Sequence, residues 1–294
     1  MTTSLRTGAV LMTAVLAALT LACTRAPGRA EVVSGPIDLH EWIAKQVASM
    51  SATGPYRDPD RSERESGRKA FDAVVRGDLA VAEKLFGDLG FRITQGTDLR
   101  TGRAVRIYWA DPETGWGGLL VDPSAPARSV VEVPHPAYDL NTEKLGLSLY
   151  RALPGSLMLM AGAQRQAAGG EADVAHNDRS MFQVFAVAAA GHGLPQLQLH
   201  GFADRSLPGA DAVVSTGSAA HNDLAVRIAR ELEADDRQVC RAWVSRCTGL
   251  EGRTNVQGAA AGDAEFIHLE LGWSLRRDLS DRDRVRDAVV AAWA

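Results

Sequence analysis

The chain has 294 residues, of which 46% are hydrophobic and 23% are charged. This length allows one large domain or two small ones, each with a buried core. The formal net charge of −4 and the lack of a basic stripe in the sequence argue against nucleic acid as the partner.

The N-terminal segment predicts export. In residues 1–23, Arg6 is the only charged side chain, and residues 8–22 are almost all apolar. This segment is too short for a membrane-spanning helix and is typical of a signal peptide. It ends in TLAC at Cys23, which resembles a bacterial lipobox with the leucine one position late. Cys23 is therefore either a lipidation site or part of a conventional cleaved signal. Both readings predict a periplasmic or cell-surface protein. Only the first predicts contact with the membrane, through the N-terminal lipid.

The next segments predict a tether and then a single domain. Residues 24–36 are small and contain Pro and Gly without periodicity, which is typical of a linker. Residues 37–294 are predicted to form one α/β domain, whose portion up to about residue 127 is helical and hairpin-like. In this portion we predict a helix in DLHEWIAKQVASM with Asp38 as its N-cap, a charged loop in SATGPYRDPDRSERESG, and a helix in RKAFDAVVRGDLAVAEKLFGDLG with a break at Gly77. FRITQGTDLRTGRAVRIYWAD alternates like a hairpin.

After this portion, short apolar strands alternate with helices. The predicted elements in chain order are strand RSVVEV, helix TEKLGLSLYRAL, strand SLMLMAG, helix DRSMFQVFAVAAAG, strands PQLQLHGF and DAVVST, helix AAHNDLAVRIARELEA, strand EFIHLELGWSL and helix SDRDRVRDAVVAAWA. This alternation predicts an α/β fold with a mostly parallel or mixed central sheet and helices on both faces. In such sheets, ligands bind at the carboxyl ends of the strands.

Polar side chains follow several of these strands. RSVVEV leads into His135, with Asp139 and Glu143 a few residues later; SLMLMAG leads into Arg165, and PQLQL leads into His200. Two imidazoles and one carboxylate with an open fourth position are the composition of a hydrolytic zinc site. The residues themselves leave either Asp139 or Glu143 as the carboxylate.

The late strand supplies a candidate base. In EFIHLELGWSL the period of two places Phe266, His268 and Glu270 on one face and apolar side chains on the other. A glutamate in an otherwise apolar strand is costly unless it is paired or used. Beside a metal, Glu270 could take a proton from water and pass it to a leaving amine.

The order HP…D…TE, a downstream Arg, LHGF and HLELxxxLR resembles the zinc carboxypeptidase-like amidohydrolases. Within that group the chain looks closest to the N-formylglutamate amidohydrolase and phage poly-γ-glutamate hydrolase branches. The resemblance covers residues 129–276 through separated short motifs. It implies a phosphorylase/hydrolase-like fold with Zn²⁺ held by His135 and His200, and Glu270 as the general acid/base. It also implies that Arg165 binds a substrate carboxylate or polarises the scissile carbonyl.

The third metal ligand departs from the carboxypeptidase pattern. Those enzymes use HxxE, but the third residue after His135 is Tyr138. The phage-type branch uses a longer spacing, which favours Asp139 as the ligand and leaves Glu143 as the alternate ligand. Glu143 is also predicted to open the next helix, where the helix dipole stabilises an acid.

The two remaining cysteines predict a disulfide. Cys240 and Cys247 lie seven residues apart without a CxxC pattern. In an exported protein two nearby cysteines most often pair with each other, and a zinc pair is the weaker alternative because no second pair completes four ligands.

A polar segment before the late strand predicts substrate contacts. Residues 250–262, LEGRTNVQGAAAG, are too long for a simple turn, and we predict that Asn255 and Gln257 contact substrate there. The alternative is a plain surface connection. His176, in ADVAHNDRS, either lines the site or caps the helix that follows.

Together these features predict an exported zinc-dependent amidohydrolase or peptidase that cleaves an amide bond next to a carboxylate. The expected partner is a small-molecule or peptide substrate that carries a carboxylate; cell-surface examples are γ-glutamyl polymers and peptidoglycan stem peptides. The alternative is a catalytically inactive surface-binding lipoprotein on the same fold. The spacing departure and Gln164, which stands beside Arg165, are the features that favour this alternative.

Overall fold

The computed structural model describes residues 1–2 and 35–293. The predicted signal peptide from residue 3 onward, Cys23 and the tether up to residue 34 lie outside these residues. Within the described range, strands and helices alternate along most of the chain. The strands are β1 Pro36–Ile37, β2 Arg92–Asp98, β3 Ala104–Trp109, β4 Gly118–Val121, β5 Ser129–Val133, β6 Ser156–Met160, β7 Gln196–Phe202, β8 Ala212–Ser215, β9 Val239–Arg241 and β10 Phe266–Gly272.

The α-helices lie between and after these strands. They are α1 Leu39–Ala48, α2 Arg61–Val75, α3 Leu79–Asp88, α4 Thr142–Ala152, α5 Met181–Gly191, α6 Asp223–Ala234, α7 Val256–Ala260, α8 Trp273–Arg277 and α9 Leu279–Trp293. No helix among residues 35–293 combines the length and the apolar composition needed to span a bilayer.

The N-terminal portion differs from the prediction at the start of α2 and in strands β1 and β4, which were not predicted. Asp38 caps α1 as expected, because its carboxylate accepts from the backbone N–H groups of the first turn. However, α2 begins at Arg61, inside the predicted charged loop. Asp60 accepts from the Glu63 backbone N–H, and the Glu63 side chain accepts from the Asp60 N–H. This reciprocal capping box starts a helix in a strongly charged sequence.

One mixed sheet of ten strands, in the order β1-β2-β3-β4-β6-β5-β7-β10-β8-β9, organises the described chain. Strands β2, β3 and β4, from the N-terminal portion, run antiparallel at one side. In the middle, β6, β5, β7 and β10 are four neighbouring parallel strands. The predicted α/β class with a mixed sheet is therefore confirmed.

Helices cover both faces of the sheet, as predicted. On one face, α1, α4, α6 and α9 pack on the inward side chains of the strands, including those of β5, β7 and β10. On the other face, α2, α3 and α5 pack an aromatic core against β2, β3 and β6. On this second face, β7 and β10 carry buried glutamines and histidines instead of aliphatic side chains. This polar stretch contains the candidate site.

Candidate metal centre

The four parallel strands bring the predicted site residues to one edge of the sheet. His135 follows β5 and Arg165 follows β6, while His200 and Glu270 lie near the carboxyl ends of β7 and β10. His200 lies within β7, as the predicted strand PQLQLHGF has it. In the parallel register it is the direct neighbour of Glu270, so both side chains point from the same face.

A single helical turn places His135 and Asp139 side by side. The Asp139 backbone N–H donates to the His135 carbonyl at 2.9 Å, which is the bonding of one α-helical turn. Residues four apart in such a turn share a face, as residues three apart do. The carboxylate of Asp139, four residues after His135, therefore lies on the same side of the turn as a carboxylate three residues after His135 would.

Three donor atoms meet where the strands end. The Asp139 Oδ2 atom lies 3.2 Å from His135 Nδ1 and 3.3 Å from His200 Nδ1, and the donor atoms of the three residues lie within 4.8 Å of one another. Ligands held at ~2.0–2.1 Å in a tetrahedral zinc site are separated by about 3.4 Å. The donor set and its spacing therefore fit one zinc ion.

The protonation of the three residues follows from burial and from their mutual contacts. Burial opposes ionisation of Asp139, but the neighbouring imidazoles of His135 and His200 hold its pKa well below the usual range. Burial lowers the pKa of His200 to about 4. Neutral His200 beside ionised Asp139 is the protonation state that metal binding requires. Burial opposes protonation of His135, but its hydrogen bonds with Asp139 and Asp173 raise its pKa, so His135 would release a proton on binding a metal.

Asp173 orients His135 from the opposite side of the ring. Its Oδ1 atom lies 2.8 Å from His135 Nε2 and 3.2 Å from His176 Nδ1, and its Oδ2 atom accepts from Arg165 Nη2. A carboxylate on the second nitrogen of a histidine directs the first nitrogen toward a metal. Asp173 thus links His135 to the predicted substrate-binding residues Arg165 and His176.

Gln198 fixes the tautomer of His200. Its Oε1 atom lies 2.7 Å from His200 Nε2 and also accepts from Asn255 Nδ2 at 2.5 Å. Its NH₂ group donates to Glu132 and to Gln257. Because an amide oxygen only accepts, His200 Nε2 carries the proton of the neutral ring, and the lone pair of Nδ1 is left for a metal ion beside Asp139. The orientation of this one amide thus prepares His200 as a ligand.

The amide network continues behind Gln198. Gln257 donates to the Val174 carbonyl and to Gln183 Oε1, and the Gln183 NH₂ group donates to the Val256 carbonyl. Gln257 is thus fully engaged behind the site, where it does not line the cavity. Its predicted contact with substrate is inconsistent with this placement.

Asn255 is also engaged, although it borders the cavity. It caps α7, and its NH₂ group donates to Gln198. The segment predicted as a polar loop therefore contains a short helix. Its residues Asn255 and Gln257 both hydrogen-bond to Gln198, next to His200. The burial of Gln257 was missed because polar side chains in an irregular segment suggest exposure, whereas Asn255 lines the cavity and its contact with substrate stays a prediction.

A cavity of about 410 Å³ opens over the donor atoms. It is lined by His135, Arg165, Ala175, His176, His200, Gly249, Glu251, Gly252, Arg253, Thr254, Asn255, His268 and Glu270. A larger cavity of about 640 Å³ lies between α4 and α9, but the histidine–carboxylate cluster is in the smaller one. The chemistry therefore places the candidate site in the smaller cavity.

Glu270 lines this cavity, and one of its carboxylate oxygens makes no hydrogen bond with the described residues. Its Oε2 atom is shielded from solvent and has no hydrogen-bond partner within residues 35–293. Burial, reinforced by the charge of Asp139, raises the pKa of Glu270 well above its ordinary value. His268 lies beside it, stacked on His200 with ring centroids 4.4 Å apart, and its Nδ1 atom also has no partner in the described chain. Both residues line the cavity, and each has one buried polar atom that no described residue bonds.

Glu143 and the cysteines take positions around the site. Glu143 lies in the first turn of α4. It belongs to neither group of possible metal ligands among the described residues, which are His135–Asp139–His200 and His200–His268–Glu270. Cys240 and Cys247 form the predicted disulfide. Glu251 accepts from the Cys247 backbone N–H, and its carbonyl accepts from Ser215, so the bridge is joined to the wall of the cavity.

Sequence reasoning missed Glu132 and Gln198. Glu132 is the acid inside the buried strand SVVEV, and the argument applied to Glu270 could have found it. Gln198 precedes His200 by two residues, so it lies on the same face of β7. In the strand register, Gln198 is the direct cross-strand neighbour of both Glu132 and His268. The sequence alone does not show this pairing.

Replacing Glu132 by Gln is expected to change how stability depends on pH. Burial raises the pKa of Glu132 to about 8, from 4.5 in the unfolded chain. Between these values the unfolded chain releases a proton that the folded chain retains, so stability falls as pH rises. The Glu132→Gln variant lacks this loss. Its stability relative to the unmodified protein should therefore increase by up to about 1.4 kcal/mol per pH unit between pH 5 and 8.

Urea unfolding at several pH values, with a chelator present in all samples, measures this difference. The chelator removes any contribution from bound metal. A difference between the two proteins that stays constant from pH 5 to 8 would show that Glu132 titrates normally in the folded state.

No protein-family model matches the chain, and no curated protein matches it in sequence. Three solved structures are similar to part of it. A bacteriophage poly-γ-glutamate hydrolase shares 16% identity over 57% of this chain and 84% of that chain, with a TM-score of 0.44. Zinc-free apo YNDL shares 11% identity over 60% of this chain and 88% of that chain, with a TM-score of 0.43. A "putative metallopeptidase" from Shewanella denitrificans OS217 shares 13% identity over 76% of this chain and 88% of that chain, with a TM-score of 0.33. The function proposed below rests on the side-chain geometry of the site itself.

Proposed function

We propose that this protein is an exported zinc-dependent amidohydrolase or peptidase that cleaves an amide bond next to a carboxylate. The observation that carries the proposal is the convergence of two imidazoles and one carboxylate on a single point. The Asp139 oxygen lies 3.2 Å and 3.3 Å from the two imidazole nitrogens, and Glu270, which has an unpartnered oxygen among the described residues, lines the same cavity. A zinc ion, when bound, would supply a Lewis acid that polarises a carbonyl and lowers the pKa of water toward ~7.

The ligand residues would be His135, Asp139 and His200. Asp173 and Gln198 hold the two imidazoles with Nδ1 turned to the shared point. This prearrangement means that little side-chain movement is needed on binding, because outer partners already set ring orientation and tautomer. The open side of the cluster faces the cavity, where substrate and water would enter.

Glu270 would act as the general acid/base. It would accept a proton from the attacking water and deliver it to the leaving amine. Burial raises its pKa, which is the direction in which enzymes adapt a carboxyl group for proton transfer. Because Oε2 makes no hydrogen bond in the described chain, this oxygen would be free for that transfer.

Arg165 would bind the substrate carboxylate or the carbonyl oxygen. It lines the cavity, its guanidinium group lies over the Tyr138 ring at 5.1 Å, and one nitrogen is bonded to Asp173. Asp173 and Tyr138 thereby hold the guanidinium group at the entrance. A planar guanidinium group recognises carboxylates through paired hydrogen bonds, which favours an acidic substrate.

Metal analysis combined with hydrolysis assays tests the proposal. The unmodified protein, purified without chelator, should contain about one zinc per chain. It should hydrolyse γ-glutamyl or peptidoglycan stem peptides, lose activity with a chelator and recover it with zinc. The His200→Ala variant should lose the metal. His192→Ala is the matched control, because His192 also bonds to an aspartate, Asp72, but lies outside the cavity.

Two results would contradict parts of the proposal. Zinc content that is unchanged in His200→Ala would remove the metal centre. Zinc that is bound at this centre without hydrolysis of any carboxylate-adjacent amide would identify a binding protein in place of an enzyme.

A further inference from the structure

Arg276 is a buried cation that bonds to three backbone carbonyls. It lies in α8, directly after β10, and is 4% exposed. Its Nε atom donates to the Leu271 carbonyl at 3.0 Å, its Nη2 atom to the Phe202 carbonyl at 3.1 Å, and its Nη1 atom to the Leu140 carbonyl at 2.5 Å. Each of the three nitrogens thus contacts a different segment of the chain.

These three segments carry the proposed metal and catalytic residues. Leu140 follows Asp139, Phe202 lies two residues after His200, and Leu271 follows Glu270. A guanidinium group is planar and holds its donors at fixed separations. One side chain therefore sets the distances between the backbone beside the carboxylate ligand, the backbone beside the histidine ligand and the backbone beside the base.

Gly201 and Trp273 pack closely against this guanidinium group. A Cβ atom at Gly201 would lie 2.2 Å from Arg276 Cζ, so the group packs directly on the bare backbone of β7. The Trp273 ring covers it from the solvent side, with its centroid 5.5 Å from Cζ. The glycine of the LHGF motif is thus needed for close approach of Arg276 to the strand that carries His200.

We infer that Arg276 is a positioning residue that fixes the spacing between the metal ligands and Glu270. This inference rests on the proposed function, because it assigns Arg276 to the geometry of that same site. Lysine at this position would keep the positive charge, but a single flexible ammonium group cannot hold three carbonyls in one plane. The charge alone would therefore not maintain the geometry.

Zinc affinity and the spectrum of bound cobalt test the inference. Outer-shell changes typically cost about 10–100-fold in metal affinity, and we expect a loss in this range for Arg276→Lys, measured by competition with a chromophoric chelator. The visible absorption spectrum of the Co²⁺-substituted variant should also change, because that spectrum reports ligand geometry. A second variant, Gly201→Ala, should act in the same direction by displacing the guanidinium group.

Arg151→Lys is the matched control. Arg151 is also largely buried, and it bonds to Asp98 through two nitrogens away from the site. This variant should lose stability, measured with chelator present, while keeping its zinc affinity and cobalt spectrum. If Arg276→Lys and Gly201→Ala also keep both metal properties, Arg276 has only a structural role and the inference is wrong. If the unmodified protein binds no zinc, the proposed function fails and this inference fails with it.

Discussion

Glu270→Gln is expected to reduce the turnover number by about 10²–10⁴-fold, the range that general acid/base catalysis contributes. The amide has nearly the same shape as the carboxylate but cannot accept a proton at neutral pH. Since Oε2 makes no hydrogen bond within the described residues, the substitution breaks none there. Zinc content and unfolding temperature should therefore stay close to those of the unmodified protein.

Steady-state kinetics and metal analysis on the same preparations measure this outcome. Glu265→Gln is a suitable control, because Glu265 precedes the same strand and does not line the cavity. Unchanged turnover in Glu270→Gln would exclude Glu270 as the base. A parallel loss of zinc would instead indicate that Glu270 holds the metal.

Asp139→Asn is expected to lower zinc affinity by more than the ~10–100-fold that is typical of outer-shell partners. Asp139 is the only acid in the donor cluster with His135, and one of its oxygens contacts both imidazoles. Its pKa is held well below the usual range, so it offers a charged oxygen at all physiological pH values. Asparagine keeps the shape but loses this charge.

Competition with a chelator measures the affinity, and Glu143→Gln separates the two predicted carboxylate ligands. Glu143 is buried in α4 with an unpartnered Oε2 among the described atoms, and burial raises its pKa. The Glu143→Gln variant should bind zinc as the unmodified protein does. The reverse pattern, in which only Glu143→Gln loses zinc, would make Glu143 the ligand.

Local periodicity predicted much of the fold and the positions of the donor residues. Alternation in β10 placed His268 and Glu270 on one face, and the strand ends pointed to His135 and His200. The positions of these residues in the structure agree with the predicted positions, because each prediction depends on residues only a few positions apart in the chain. The helix start at Arg61 was missed because a dense run of charges hid the reciprocal cap between Asp60 and Glu63.

Contacts between distant segments could not be predicted from the sequence. The pairing of Gln198 with Glu132 depends on the register of β5 against β7, which leaves no local trace. The contacts of Arg276 are still less visible, because their acceptors are backbone carbonyls that every residue carries. The burial of Gln257 could not be predicted either, because it arises from the packing of α7 on α5, and the residue was therefore assigned to substrate.

The hydrogen bonds that run from His200 through Gln198 and Gln257 to Gln183 all point one way. Each amide oxygen accepts from the preceding member, and the NH₂ groups of Gln257 and Gln183 also donate to the Val174 and Val256 carbonyls, respectively. Reversing any single amide would set two donors or two acceptors face to face, so the whole series is locked in one sense. The position of the proton on the His200 ring therefore depends on the amide of Gln183 at the other end of the series. A substitution at Gln183 would change the tautomer of His200 although the two side chains are not in contact.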